Sequence, residues 1–358
     1  MSDLRINNIT DRLGQHGPEV VGVCTVTSTD AFVVPKGPTE YRGGRGRAVF
    51  ACGAISPGYT TVMDMVEIAT TGNATDFGDA SFVGHPCDGG VSSSTRGVWT
   101  GAYLHPASPK HSPAIDYVVI SSGGGSIEFG EAGVAISRYG ATSDGTRGVF
   151  GGGNFDEQPD RVNNLQYVTI ATLGGATDFG DLTLAAENIG ACSSPTRGVY
   201  IMGYGSYTSP SEASDWRNVL DYITIATKGN AIDFGEKGWK GYATGACASN
   251  TRGVFAGGYA PSPNPGRTNI IEYVTFASLG ASTNFGDLTA AMMEMSGTSN
   301  CTRGVFGCGA TATPSTTRVN TIDYITIAST GDAADFGDLT LARSGGAAMG
   351  DYFGGISQ

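Results

Sequence analysis

Apolar and polar positions alternate along this chain in short bursts, and the bursts come in a fixed order. The stretch from Leu184 to Glu236 shows it. Small residues run from Ala185 to Cys192, and a turn follows at Ser193–Thr196. Next comes an apolar run, Arg197–Gly203, and a loop over 204–218. The β-branched, alternating run Val219–Thr227 follows, then a turn at Lys228–Asn230 and a short run, Ala231–Glu236. A period of two predicts strands, and the Gly, Pro, Ser and Asn clusters predict turns. No stretch shows the 3.6-residue period of a helix.

The same order recurs six times. Each copy centres on an arginine followed by Gly-Val-aromatic, with Ala48 in place of Gly in the first: Arg47, Arg96, Arg147, Arg197, Arg252 and Arg303. These arginines lie 49, 51, 50, 55 and 51 residues apart. One four-stranded antiparallel unit per ~50 residues, stacked around a ring, predicts an all-β propeller. The arginines Arg147, Arg197, Arg252 and Arg303 are expected in equivalent, largely buried sites, bonded to carboxylates or backbone carbonyls, because buried guanidinium groups need such partners.

Composition narrows the function. The 358 residues include 56 glycines, only 15% are charged, and the net charge is −12. No basic stripe is visible, which argues against a nucleic-acid partner. No apolar run approaches the ~18 residues of a membrane span, and the N-terminus has no apolar signal core. Cys24, Cys52, Cys87, Cys192, Cys247, Cys301 and Cys308 form no CxxC pair, and several occupy repeat-equivalent positions. They read as small buried side chains rather than ligands. His16, His85, His105 and His111 are scattered, so neither a metal site nor a catalytic triad is expected, nor any cofactor.

Asp178-Phe179-Gly180 looks like a kinase motif, but the Phe-Gly-acid element recurs in every copy. The acids before it are Asp76, Glu128, Asp178, Asp233 and Asp335, with Asn284 as the exception. They read as turn hydrogen bonds and Arg–carboxylate pairs; the sharper alternative is a calcium-binding ring.

The order of small-residue strand, Gly-Gly-ended strand, Asp-Tyr strand and short Phe strand resembles the Kelch motif. Gly151-Gly152, Gly257-Gly258, Asp221-Tyr222, Asp323-Tyr324, Phe234 and Phe336 carry that resemblance. The ends suggest how the ring closes. Leu341–Gly355 reads as half a blade, and Gly22–Pro35 as a third and fourth strand. Seven Kelch-like blades of four antiparallel strands closed by both termini are therefore expected, with residues 1–18 as an arm and 19–358 as the propeller. The alternative is six blades plus an N-terminal anchor.

Recognition is expected on the face that carries the loops between second and third strands and those between blades. The fourth copy deviates most there. Its loop holds Tyr204, Tyr207 and Trp216, and its exit reads Lys237, Trp239, Lys240 and Tyr242, where the third, fifth and sixth copies have Asp-Leu-Thr. These residues are expected to touch a protein or glycan; alternatively they cover a blade edge.

The run Leu4–Thr10, then Gly17-Pro18 and Phe32–Pro35, resembles the start of virion proteins of marine tailed phages, as do the phrases Asp221–Thr227 and Ala334–Asp338. That resemblance implies a non-enzymatic structural protein of a tail, fibre or head decoration, present in several copies in the virion. Its partners would be other virion proteins, reached through residues 1–35, and a host-surface glycan. A carbohydrate-active propeller enzyme, hydrolase or lyase, and an intracellular Kelch-type adaptor are the other readings.

Overall fold

The computed structural model describes residues 46–84, 89–101, 103–104, 110–155, 161–205, 216–260, 266–300, 302–311 and 317–351. The arm at 1–18, the strands expected within 19–35, Tyr207, Cys24, Cys87 and Cys301 lie outside them. The described residues form an all-β propeller with no helix. Five four-stranded antiparallel sheets share one order, and a seven-stranded sheet contains the same four strands and extends beyond them. In the fourth blade the order from axis to rim is Gly190–Ser193, Arg197–Ile201, Val219–Thr224 and Ile232–Glu236.

The second strand of each blade is apolar on both faces because it lies between two layers of core. Val149 faces the layer shared by the third and fourth blades, and Phe150 the layer shared by the second and third. Each of the six core layers is built from two neighbouring blades, and one joins the sixth blade to the first. The glycine after the repeat arginine admits this packing. A Cβ on Gly253 would lie 2.4 Å from Cys192 Sγ of the preceding blade.

The expectation of seven blades is corrected. The C-terminal strand Ala347–Gly350 does not begin a new blade. It pairs with Arg47–Ala51 and supplies the inner strand of the first blade. Outer-rim hydrogen bonds then join the sixth blade directly to the first: Gly72 N–H donates to Phe336 O at 2.8 Å, and Ala74 N–H to Asp338 O at 2.7 Å. The ring closes with six inner strands and no room for a seventh sheet. Closure by the C-terminal strand leaves the first blade without an open inner edge.

Several sets of polar contacts stitch neighbouring blades. At the axis, Ser193 Oγ donates to Ser143 O at 2.9 Å, and Ser299 Oγ to Ala248 O. Nearer the rim, the Asp-Phe-Gly element proves to be an inter-blade clasp. Phe179 O accepts from Gly229 N–H of the next blade at 2.9 Å. Gly180 has φ +149, and a Cβ there would meet Gly229 O at 2.4 Å, so glycine is required.

The repeat arginines form a third set. They are half-buried. Each reaches a backbone carbonyl of the next blade: Arg47 to Ser121 O, Arg96 to Ala171 O, Arg147 to Ile225 O, Arg197 to Phe276 O, Arg252 to Ala328 O and Arg303 to Ile68 O. Each of the last five also lies over the tyrosine of its own blade, as Arg303 does at 4.5 Å from the Tyr324 ring centre. The first blade has Met65 where the others have tyrosine, and there Arg47 pairs with Glu67 at 3.0 Å instead. The expected Arg–carboxylate pairing is thus confined to Arg47 among these arginines. The outer-strand acids Asp76, Glu128, Asp178, Asp233 and Asp335 are exposed, and no group of three potential metal ligands occurs among the described residues.

Candidate functional site

The connections between blades converge on the axis at one end of the ring. Those among the described residues pass through a residue with left-handed backbone two positions before the inner strand. These are Arg138 (φ 58), Asn188 (φ 54), Ala243 (φ 59), Glu294 (φ 55) and Gly345 (φ 61). Such angles are uncommon for residues other than glycine. Here they are held by a backbone collar: Ala243 N–H donates to Asn188 O at 3.2 Å, Glu294 N–H to Ala243 O at 3.1 Å and Gly345 N–H to Glu294 O at 2.8 Å. Beneath the collar the axial space is only about 60 Å3, between small side chains such as Ser92, Ser143, Ser193 and Ser299. It has room for water and nothing larger.

Above the collar the fourth and fifth blades add aromatics. The ring of Trp216 lies 5.0 Å from that of Tyr242 and 5.4 Å from that of Tyr259, with planes 32° and 22° apart. Tyr204 stands edge-on to Trp216 at 5.7 Å and 82°. The loop between second and third strands and the exit from the blade therefore share one face, as the strand order predicts. Beside them Glu187 is buried and clamped by two cations: Arg161 at 2.8 Å and Arg138 at 3.3 Å. Arg161 also covers the Tyr204 ring at 4.6 Å.

Together these groups wall a depression of about 310 Å3. Arg138, Glu187, Asn188 and Glu294 form its polar side, and Tyr204, Trp216 and Tyr242 its aromatic side. Burial, and next the Glu294 carboxylate, raise the Tyr242 phenol above its ordinary pKa. Among the described residues, no protein hydrogen bond engages the side-chain polar groups of Asn188, Glu294 or Tyr242.

Of the site residues expected from sequence, the depression brings together Trp216 and Tyr242. Trp239 is half-buried and packs over Lys237, whose Nζ lies 4.2 Å from the indole centre. Lys237 is corrected: it is 2% exposed, not a surface contact. Its ammonium donates to Gly241 O at 2.6 Å, and burial pushes its pKa down to about 7. It fills the slot that Leu182, Leu288 and Leu339 fill elsewhere, so packing holds it in. Lys240 is exposed and is not part of the depression's lining. Sequence reasoning missed Arg138, Glu187, Asn188 and Glu294. The available signal was their shared position just ahead of the inner strands, where they interrupt runs of small residues.

The cysteines Cys52, Cys192, Cys247 and Cys308 are free and buried, as expected. Burial pushes the Cys192 thiol up to about 12.

No protein-family model matches this chain, and no curated protein matches it significantly.

Proposed function

We propose that the chain is a non-enzymatic, Kelch-like propeller that serves as a structural component of a phage virion and presents its loop face for recognition. The observation that carries the recognition role is the division of labour in the ring. The repeated arginines, aspartates and glycines are occupied in blade-to-blade contacts and the repeated tyrosines lie under the arginines of their own blades, while the unshared aromatics gather at one mouth. Variable loops on a rigid scaffold are the usual place for recognition. The virion role rests on the likeness of Leu4–Thr10, Phe32–Pro35 and the repeated Asp-Tyr-Ile-Thr phrases to phage virion proteins. Residues 1–35 would attach the propeller to neighbouring virion proteins. The test is labelling of purified tailed particles with antibody against this chain. A discrete label on tail, fibre or head is the expected result. Abundant chain in infected lysate with none in purified particles would sink the virion role.

The grouping of Glu187, Glu294, Arg138 and Tyr242 at the axial mouth favours, as a second reading, a propeller enzyme acting on carbohydrate. Release of reducing ends or unsaturated products from polysaccharide, abolished by Glu294→Gln, would replace the non-enzymatic reading.

A further inference from the structure

We propose that the depression at the axial mouth binds one pyranose ring of a neutral glycan; this rests on the recognition role argued above. Its volume of about 310 Å3 lies at the low end of small-molecule sites, which span roughly 300–1,000 Å3. That is room for a sugar ring with its hydroxyls, not for a folded peptide. The two sides of the depression match the two sides of a sugar. Trp216 and Tyr242, with planes 32° apart, offer an apolar surface to the C–H face of a pyranose. The Asn188 amide, the Glu294 carboxylate and the Tyr242 hydroxyl, which belong to the same lining, are not engaged by protein. They offer donors and acceptors of the kind that pair with sugar hydroxyls, and leaving such groups desolvated without partners is costly.

Two other ligand classes fit less well. A quaternary ammonium sits within ~6 Å of several ring centres at once, between faces that stand apart. Here Trp216, Tyr242 and Tyr259 already touch one another at 5.0–5.6 Å, and Tyr204 already carries Arg161. An acidic sugar would meet Glu294, while the nearby cations Arg138 and Arg161 are both taken up by Glu187. A neutral ring is what remains.

The test uses the full chain on an array of neutral and acidic glycans, followed by titration with the terminal sugar of each hit. Tetramethylammonium and glucuronate are titrated in parallel. Isothermal titration calorimetry reads binding in the intact chain and in every variant, and tryptophan fluorescence is a second readout where Trp216, which lines the site, is kept. The expected result is saturable binding of at least one neutral sugar, weakened about tenfold or more by Trp216→Ala and by Glu294→Gln. Lys240→Ala should leave it unchanged. If Trp216→Ala does not fold, Tyr242→Phe and Glu294→Gln carry the test, since both keep the shape of the side chain. Three results would overturn the proposal: no neutral glycan bound, binding indifferent to Glu294→Gln and Tyr242→Phe, or preference for tetramethylammonium or glucuronate. Particle labelling is independent of these arms, so loss of sugar binding with retained labelling removes the ligand and leaves the virion role standing.

Discussion

Two junctions of the ring do the same job with different residues. Between the third and fourth blades, Thr183 donates from its backbone N–H and its hydroxyl to Asp221, each at 2.8 Å, with Leu182 packed beneath. Between the fourth and fifth blades, Gly238 stands where Thr183 stood and Glu272 where Asp221 stood. The Gly238 N–H donates to the Glu272 carboxylate at 3.2 and 3.3 Å, and Lys237 replaces the leucine. Losing a side chain on one blade is matched by one more methylene on the next. The same trade occurs between the second and third blades. There Gly133 faces Gln166, which accepts from Val134 N–H at 3.2 Å and donates to Val134 O at 2.9 Å. Where the first partner is Ser81, Thr289 or Thr340, the second is an aspartate: Asp116, Asp323 or Asp64. Each junction is thus a size-matched polar pair, and Gly238 of the fourth copy departs from its siblings in step with Glu272 of its neighbour.

The closing junction tests that equivalence hardest, because the chain that crosses it joins the rest of the first blade only through the pairing of Ala347–Gly350 with Ala48–Ala51. Thr340 Oγ1 donates to Asp64 at 2.6 Å as at other junctions, and Arg343 adds an ion pair to Asp64 at 2.8 Å and a bond to Phe50 O at 3.0 Å. Arg343 and Asp64 are both 0% exposed. Removing residues 347–358 takes away the inner strand of the first blade. The expected outcome, by circular dichroism, is loss of the cooperative melt or a fall of tens of degrees. A melting temperature within a few degrees of the intact chain would show that the strand Ala347–Gly350 is not the clasp. A smaller insult, Arg343→Met, leaves Asp64 buried without its cation and should cost about 3–5 kcal/mol in denaturant unfolding. Arg343→Met with Asp64→Asn should recover much of that.

Much of this ring was legible in the chain. Strand order, copy number and the arginine ladder all follow from local patterns that repeat. The blade count did not, for a physical reason. Ala347–Gly350 pairs with Ala48–Ala51 across nearly the whole chain, and no local pattern says whether a terminal half-repeat starts a blade or completes one. Lys237 misled for a different reason. A lysine reads as solvent-facing, yet its slot in three other copies holds leucine, and position outweighed residue type. The depression was half legible. Aromatic Trp216 and Tyr242 stood out as unshared. Asn188 and Glu294 did not, because the collar that aims them is backbone geometry.

Lys237 gives the next largest effect. Its pKa falls from 10.5 to about 7 because burial disfavours the ammonium, with Glu272 opposing the shift. The folded value is below the unfolded one, so the unfolded chain binds more protons between pH 7 and 10.5. Stability should therefore rise with pH across that window, and the cost of the buried charge is fully present below pH 7. Lys237→Leu, which copies the other junctions, should be more stable at pH 6 by about 1–4 kcal/mol. It should also flatten this rise. An unchanged pH profile in Lys237→Leu would mean that the slope originates elsewhere.

The finest test converts one junction into the other. Gly238→Thr alone places a Cβ 2.3 Å from Glu272 Oε1, so the longer carboxylate must give way. Glu272→Asp alone withdraws the acceptor from the Gly238 N–H and from Ser282 Oγ, which also accepts from Gly238 N–H at 3.0 Å. Each single change should destabilise by about 1–3 kcal/mol. Together they rebuild the Thr183–Asp221 pair, so the double variant should be more stable than the sum of the singles by about 0.5–3 kcal/mol. The measurement is a double-mutant cycle in urea at pH 6, on the acid side of the shifted Lys237 value. Simple additivity would mean that the matched sizes at the two junctions are coincidental. A favourable coupling would mean that neighbouring blades read each other's side chains, and that the ring sets its order by these pairs as well as by its core layers.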